Sequence, residues 1–225
     1  MKTFTSKNQL TYLISEPVIK SSDSPAALIL LHGYKENAEK IFRFAEELNK
    51  DIFLISIQAP IKIAKNAYAW CHVDFTPQGP VDDPCETEES TIKVANLLET
   101  LPQSLGIENR RVFLCGYSQG AIISLSLALT MPHFFGGAIS LSGRIIPEYL
   151  PQLAASDQLN EFPILLVNGL DDTLLPIRHA RAARQALAEL HVALEWHEIH
   201  TGHELTREHE NILAEWLNRQ RKKSN

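Results

Sequence analysis

The chain has 225 residues, of which 44% are hydrophobic and 21% charged, with a formal net charge of −6. That length suits one domain with a substantial core, and the acidic balance lacks the basic footprint of a nucleic-acid binder. Three cysteines, an odd number, exclude a framework of paired disulfides and fit a reduced, cytoplasmic chain.

The opening MKTFTSKNQL has no apolar h-region, and no apolar run approaches the ~18 residues of a membrane span, so no stable membrane insertion is expected. TYLIS (11–15) reads as an antiparallel edge strand. Five short apolar runs follow: ALILL (27–31), IFLISI (52–57), VFLC (112–115), GAISLS (137–142) and ILLV (164–167). None alternates polar with apolar residues, which is the pattern of parallel strands covered on both faces. ALEWHEI (193–199) reads as a further, more exposed strand.

Helical spacing falls between these runs. Ile41, Phe44, Ala45 and Leu48 share one face, as do Val94, Leu97, Leu98 and Leu101, with Pro102 ending that second helix. AIISLSLAL (121–129) is apolar almost all round and is predicted to be buried. Ala180, Ala183, Leu187 and Leu190 make another stripe, and Ile212, Leu213, Trp216 and Leu217 the last. Strands alternating with helices predict one α/β domain over residues 1–225, a mostly parallel sheet flanked by helices on both faces.

Two segments stand outside this rhythm. Residues 58–86 carry Pro60, Pro77, Gly79, Pro80 and Pro84, with Tyr68, Trp70 and Phe75 among them. This reads as a long irregular loop whose aromatics wall a ligand site. The closing RQRKKSN (219–225) reads as a solvated basic tail.

The chemistry centres on GYSQG (116–120). With 10 glycines in the chain, a G-x-S-x-G spacing arises by chance about 0.03 times. It sits where an apolar strand ends and an apolar helix begins. A sharp strand-to-helix turn pushes the serine outward, and glycines two positions to either side remove side chains that would strike neighbouring backbone. The start of the helix also aims N–H groups at any anion formed beside Ser118.

A serine hydroxyl needs a positioned base to become nucleophilic. After the strand ILLV come a glycine turn and two carboxylates, Asp171 and Asp172. After ALEWHEI comes His203, following Gly202 and preceding the last helix. Ser118, Asp172 and His203 thus fall in the order serine, acid, histidine, each just past a strand end, where open parallel sheets hold their ligands.

His197, His200, His203 and His209 lie close together, but no H-E-x-x-H and no nearby cysteine pair accompanies them, so no metal site is assigned. Oxyanion donors are expected from the backbone N–H groups of Gln119, which follows the serine, and Tyr34, in the early loop after His32-Gly33. His32 reads as a core or loop-bracing histidine with no role in proton transfer.

The pieces LLHGY (30–34), QAP (58–60), YAW (68–70), GYSQGA (116–121), LSG (141–143), NGLDDTLLP (168–176) and GHEL (202–205) together resemble the phospholipase/carboxylesterase family. Those α/β-hydrolases include acyl-protein thioesterases and small bacterial carboxylesterases, and the pieces run in family order along nearly the whole chain. The resemblance implies a serine esterase of the EC 3.1.1 class acting on an ester, or thioester, of a small or acyl-chain substrate. It implies Ser118 as nucleophile, Asp172 as acid (from the pattern G-x-x-D-x-x-[VL]-P), His203 as base, Tyr34 and Gln119 as oxyanion donors, and Trp70 at the border of the substrate site. No cofactor is implied.

The chain departs from the family at Lys35, where glycine is frequent, and at Asn168-Gly169, where H-G is usual. Both departures bear on substrate choice more than on mechanism. Lysophospholipase and acyl-protein thioesterase activity stand as alternatives within the family, and a catalytically silent binding protein on the same fold stands outside it.

Overall fold

The structure, a computed structural model, describes residues 1–6, 9–19, 24–47, 51–77, 79–146 and 154–223. In chain order its elements open with β1 (Lys2–Thr5), β2 (Thr11–Ser15), β3 (Ala27–Leu31), α1 (Ala38–Ala45) and β4 (Phe53–Ile57). Four short strands follow: β5 (Ile61–Ala64), β6 (Ala67–Ala69), β7 (Val73–Thr76) and β8 (Gly79–Asp82). Then come α2 (Pro84–Leu98), α3 (Leu101–Ser104), β9 (Val112–Tyr117), α4 (Gln119–Thr130) and β10 (Gly137–Leu141). The chain closes with α5 (Ser156–Leu159), β11 (Pro163–Gly169), α6 (Ile177–Glu189), β12 (Ala193–Ile199) and α7 (Arg207–Lys223).

Eight strands form one sheet in the order β1-β2-β4-β3-β9-β10-β11-β12. β1 with β2 and β2 with β4 are antiparallel, and every other pairing in it is parallel. TYLIS is antiparallel as expected, but β1 lies outside it and forms the edge.

The unbroken apolar runs follow from covering both faces of this sheet. Successive side chains on a strand point to opposite faces. Ile29 and Leu31 of β3, Val112 and Leu114 of β9 and Leu166 of β11 therefore join one core, with Val94 of α2, Ile123 of α4 and Leu187 of α6. Their chain neighbours Leu28, Leu30, Phe113, Cys115 and Leu165 join the other core, with Ile41 and Phe42 of α1 and Leu213 and Trp216 of α7. Each such fully buried side chain stabilises the fold by ~1.5–3 kcal/mol through its removal from water.

Several expectations need correction. In α1 Ile41 and Ala45 are buried and Phe44 packs partly buried against the same core, but the stripe also includes the fully buried Phe42, and Leu48 lies outside the described residues. Pro102 does not end α2. That helix stops at Leu98, and Pro102 stands in the first turn of α3, where its missing N–H has no helical partner to lose. Residues 58–86 are not irregular: β5–β6 and β7–β8 are antiparallel hairpins, and α2 already begins at Pro84. Asp83 caps α2 by accepting the Glu86 N–H at 3.0 Å.

The closing segment is no solvated tail either, because α7 runs to Lys223. Arg221 is buried and donates two hydrogen bonds to Asp51, at 3.0 and 2.8 Å. Ser224 and Asn225 lie outside the described residues. All three cysteines are free, with Cys71 and Cys115 buried and Cys85 exposed. Among the described residues no helix is long and apolar enough to cross a membrane.

Two buried histidines make stability depend on pH. His209 accepts the Thr206 N–H at Nδ1, 3.2 Å away, at the start of α7, and its Nε2 is buried. Burial pushes its pKa down to about 4, and does the same to His32. Unfolded histidine titrates near 6.5. As pH falls from there toward 4, the unfolded chain binds protons that the folded chain refuses. Stability that is complete above ~6.5 is then lost at up to about 1.4 kcal/mol per pH unit for each histidine. His209→Gln retains an acceptor for the Thr206 N–H without a titrating ring. Melting temperatures of this variant should fall less steeply between pH 6.5 and 4 than those of the parent, as measured by circular dichroism.

Candidate active site

At the end of β9 the chain turns into α4 through Ser118, whose φ of 52° and ψ of −115° no ordinary L-residue prefers. The flanking glycines make that turn possible. A Cβ on Gly116 would lie 2.1 Å from the Gly120 carbonyl oxygen, and one on Gly120 would lie 2.1 Å from that of Leu31. Backbone cannot yield to such contacts. The Ser118 N–H donates to the Leu141 carbonyl at 2.9 Å, fixing the turn against the end of β10.

The loops after β11 and β12 bring two further side chains to Ser118. His203 Nδ1 lies 2.6 Å from Asp172 Oδ2, and its Nε2 lies 2.8 Å from Ser118 Oγ. An ionised carboxylate only accepts, so Nδ1 carries the hydrogen and Nε2 is left to accept from the serine hydroxyl. Asp172 is buried, and its Oδ1 accepts the N–H groups of Leu174 and Leu175 at 2.9 and 2.7 Å. These bonds hold the carboxylate plane toward His203. The Tyr117 hydroxyl donates to the His203 carbonyl at 2.8 Å, and its ring lies 5.4 Å from the imidazole.

The acid loop and the histidine loop are joined along their backbones. Leu170 N–H donates to Ile199 O at 2.8 Å and Asp171 N–H to Thr201 O at 3.0 Å. A Cβ on Gly169 would lie 2.3 Å from the Thr201 carbonyl oxygen, whereas one on Gly202 would meet nothing closer than 3.9 Å. The glycine that the histidine loop requires is therefore Gly169, not Gly202. Asp171 points away: its side chain is 69% exposed and lies 3.9 Å from His200, itself 87% exposed. His197 sits on β12 beside Glu195, at 3.0 Å. Of the four clustered histidines only His203 reaches Ser118.

Tyr34 and Gln119 both line a cavity of about 120 Å³ that also contains Ser118 and His203. A Cβ on Gly33 would lie 3.3 Å from Ser118 Cβ, so the backbone leading into Tyr34 passes beside the serine. His32 braces this loop. Its Nδ1–H donates to the Gly33 carbonyl at 2.8 Å, and its Nε2 accepts from Ala59 N–H at 3.1 Å and from Gln58 at 2.9 Å. Burial keeps the ring neutral, with its pKa pushed down to about 4. Lys35 adopts φ 59°, the left-handed conformation that glycine takes without penalty, and its ammonium lies over the Tyr34 ring.

Trp70 is not at the border of the cavity. It is fully buried behind Gln119, because its indole N–H finds a partner there in the His32 carbonyl at 2.8 Å. Its backbone N–H donates to Gln119 Oε1 at 2.8 Å, and its carbonyl accepts from Ser90 at 2.5 Å. The apolar wall comes instead from Val73, Phe75 and Pro80 of the second hairpin and from Ile122, Leu174 and Leu175. Of the loop aromatics singled out in the sequence, Phe75 lines the cavity.

Asp82 and Arg144 also line the cavity and form an ion pair. Sequence reasoning missed both. Arg144 stands three residues beyond the end of a buried parallel strand, a position that the strand-end rule singles out.

Comparison with known proteins agrees with this architecture. A family model described as phospholipase/carboxylesterase matches residues 15–220. Acyl-protein thioesterase 1 of Eremothecium gossypii is 30% identical over 170 residues, covering 71% of this chain and 72% of that one. A probable carboxylesterase, SOBER1-like, of Arabidopsis thaliana is 26% identical over 217 residues, 90% of this chain and 82% of that one. The Bacillus cereus carboxylesterase structure superposes with a TM-score of 0.80 at 17% identity, over 96% of this chain and 100% of its own. That likeness establishes the fold, the α/β-hydrolase fold.

The burial of Trp70 generates a stability prediction. Trp70→Ala should lower the unfolding free energy by ~3–5 kcal/mol, as emptying a large core site does. Phe75→Ala, at a side chain 57% exposed, should cost under about 1 kcal/mol. Urea unfolding of both variants measures the difference.

Proposed function

This chain belongs to the phospholipase/carboxylesterase family and is a carboxylesterase-type hydrolase, and on that premise we propose that it cleaves its esters through an acyl-enzyme on Ser118. The observation that carries this reading is the continuous chain of contacts from Ser118 Oγ through His203 to the buried Asp172, at 2.8 and 2.6 Å. We assign residues 1–225 to one catalytic domain. Three unpaired cysteines support a reducing, cytoplasmic setting.

In this mechanism Ser118 Oγ attacks the carbonyl carbon of an ester or thioester while His203 Nε2 takes its proton. Asp172 holds the imidazole in the tautomer that leaves Nε2 free to accept, and stabilises the imidazolium that results. The oxyanion is held by the backbone N–H groups of Tyr34 and Gln119, with α4 adding the positive end of its dipole. His203 then protonates the leaving alcohol or thiol as the carbonyl reforms. Water enters, gives its proton to His203, attacks the acyl-enzyme, and the acid departs as Ser118 regains its proton. Water is the only co-reactant consumed.

The strained Ser118 backbone argues against a silent binding protein. A residue held at φ 52° sacrifices about 1–3 kcal/mol, which an idle serine would have no reason to retain. An apolar wall beside Ser118 supports acyl-bearing substrates, acyl-protein thioesters and lysophospholipids included.

Two experiments test the assignment. Ser118→Ala should remain folded, lose turnover of 4-nitrophenyl acetate and lose the mass increment left by a fluorophosphonate. Full labelling of that variant would refute the nucleophile. Asp172→Asn should lower kcat by ~10⁴, because the amide stabilises the wrong imidazole tautomer. Asp171→Asn, at a solvent-facing side chain, should lower it by less than about tenfold. Steady-state kinetics on one activated ester compares them, with circular dichroism as the folding control.

A further inference from the structure

We propose that Arg144 makes this hydrolase selective for esters that carry a carboxylate on the portion lodged in the cavity. This deepens the assignment of Ser118 and rests on it.

The inference starts from how the Asp82–Arg144 pair is oriented. Asp82 is nearly sealed, its side chain 6% exposed, and its acceptors are engaged. Oδ2 takes a hydrogen bond from Arg144, while Oδ1 lies 3.3 Å from Gln119 Nε2 and 3.4 Å from Cys71 Sγ. Arg144 is 18% exposed and lines the cavity with Ser118 and His203. Among the described residues its guanidinium gives that one bond, out of the five N–H donors such a group carries. The pair therefore presents donors, not acceptors, to the cavity.

The surrounding charges favour a single negative group. Glu36, the other acid on the wall, is itself paired with Lys40. The start of α4 turns its N–H groups to the same space, adding a positive partial charge. The charge of Arg144 is also felt at His179, whose pKa is lowered by burial first and then by Arg178 and Arg144. With two carboxylates already on the wall, a dianionic phosphate is disfavoured, and a monoanion of planar shape matches the guanidinium fork. A carboxylate meets that description.

Mono(4-nitrophenyl) glutarate and 4-nitrophenyl pentanoate have acyl chains of equal carbon number and release the same phenolate. For the parent enzyme, kcat/KM on the glutarate ester should exceed that on the pentanoate ester by about 10- to 100-fold, as a charge-assisted hydrogen bond provides. In Asp82→Asn/Arg144→Gln, which removes both charges together so that neither is left buried alone, the ratio should fall to about 1. Arg144→Lys keeps the charge pair but loses the planar fork, and should fall in between. A parent ratio of 1 or below, or an undiminished ratio in a folded double variant, overturns the proposal. Turnover of both esters by Ser118→Ala would instead overturn the underlying assignment, so the two failures are told apart.

Discussion

The Leu31 carbonyl oxygen stands where a side chain on Gly120 would begin, and the Gly120 carbonyl stands where one on Gly116 would begin. Three stretches of backbone, the ends of β3 and β9 and the first turn of α4, are thereby pressed together without intervening side chains. Ser118 has no relaxed conformation left to it and is held at positive φ. The strain persists because its neighbours over-determine it: β9 is hydrogen-bonded on both sides, and α4 is buried through nearly its whole length. The same crowding brings the Gly33–Tyr34 backbone beside the serine and aims the start of α4 at it.

Sheet order supplies the rest of the site. β9, β10, β11 and β12 are consecutive neighbours, and just past their C-terminal ends stand Ser118, Arg144, Asp172 and His203 in turn. Residues up to 85 positions apart in the chain, as Ser118 and His203 are, meet within 2.8 Å because the crossovers between parallel neighbours bring the C-terminal end of each strand to the same edge. Close approach at Gly169 and two backbone hydrogen bonds then join the acid loop to the histidine loop, which fixes where Asp172 and His203 stand relative to each other.

On the other side of Ser118 a polar layer ties the second hairpin to the site. Gln119 is the centre of it: its side chain accepts from the Trp70 N–H and donates to the Cys71 carbonyl, while also reaching Asp82. The side-chain polar atoms of Gln119, Trp70 and Asp82 all have partners, which is what allows such a layer to sit between apolar walls. The residue whose backbone N–H is the proposed oxyanion donor is thus anchored by its own side chain to the segment that lines the cavity. Position of the wall and aim of that donor are coupled through one glutamine.

The sequence by itself determined every strand of the main sheet except β1, the two-faced burial, the sharp serine turn and the chain order of serine, acid and histidine, because each is a local pattern with a local cause. Apolar runs without alternation require two covered faces, and G-x-S-x-G requires backbone contact at both glycines. It also favoured Asp172 over Asp171, and the fold brings Asp172 to His203 while Asp171 faces solvent. What it left undecided depended on partners distant in the chain. Trp70 read as a wall residue because it lies in a proline-rich stretch; the tertiary structure buried it, since only there does its indole N–H meet the His32 carbonyl. Residues 58–86 read as irregular because strands of three or four residues are too short to show a period, and their pairing appears only when the hairpins close. Arg221 read as tail because its partner, Asp51, lies 170 positions away. Asp82 and Arg144, 62 positions apart, had no motif to announce them. A charge beside a cavity is a property of the folded surface, and no window of sequence contains it.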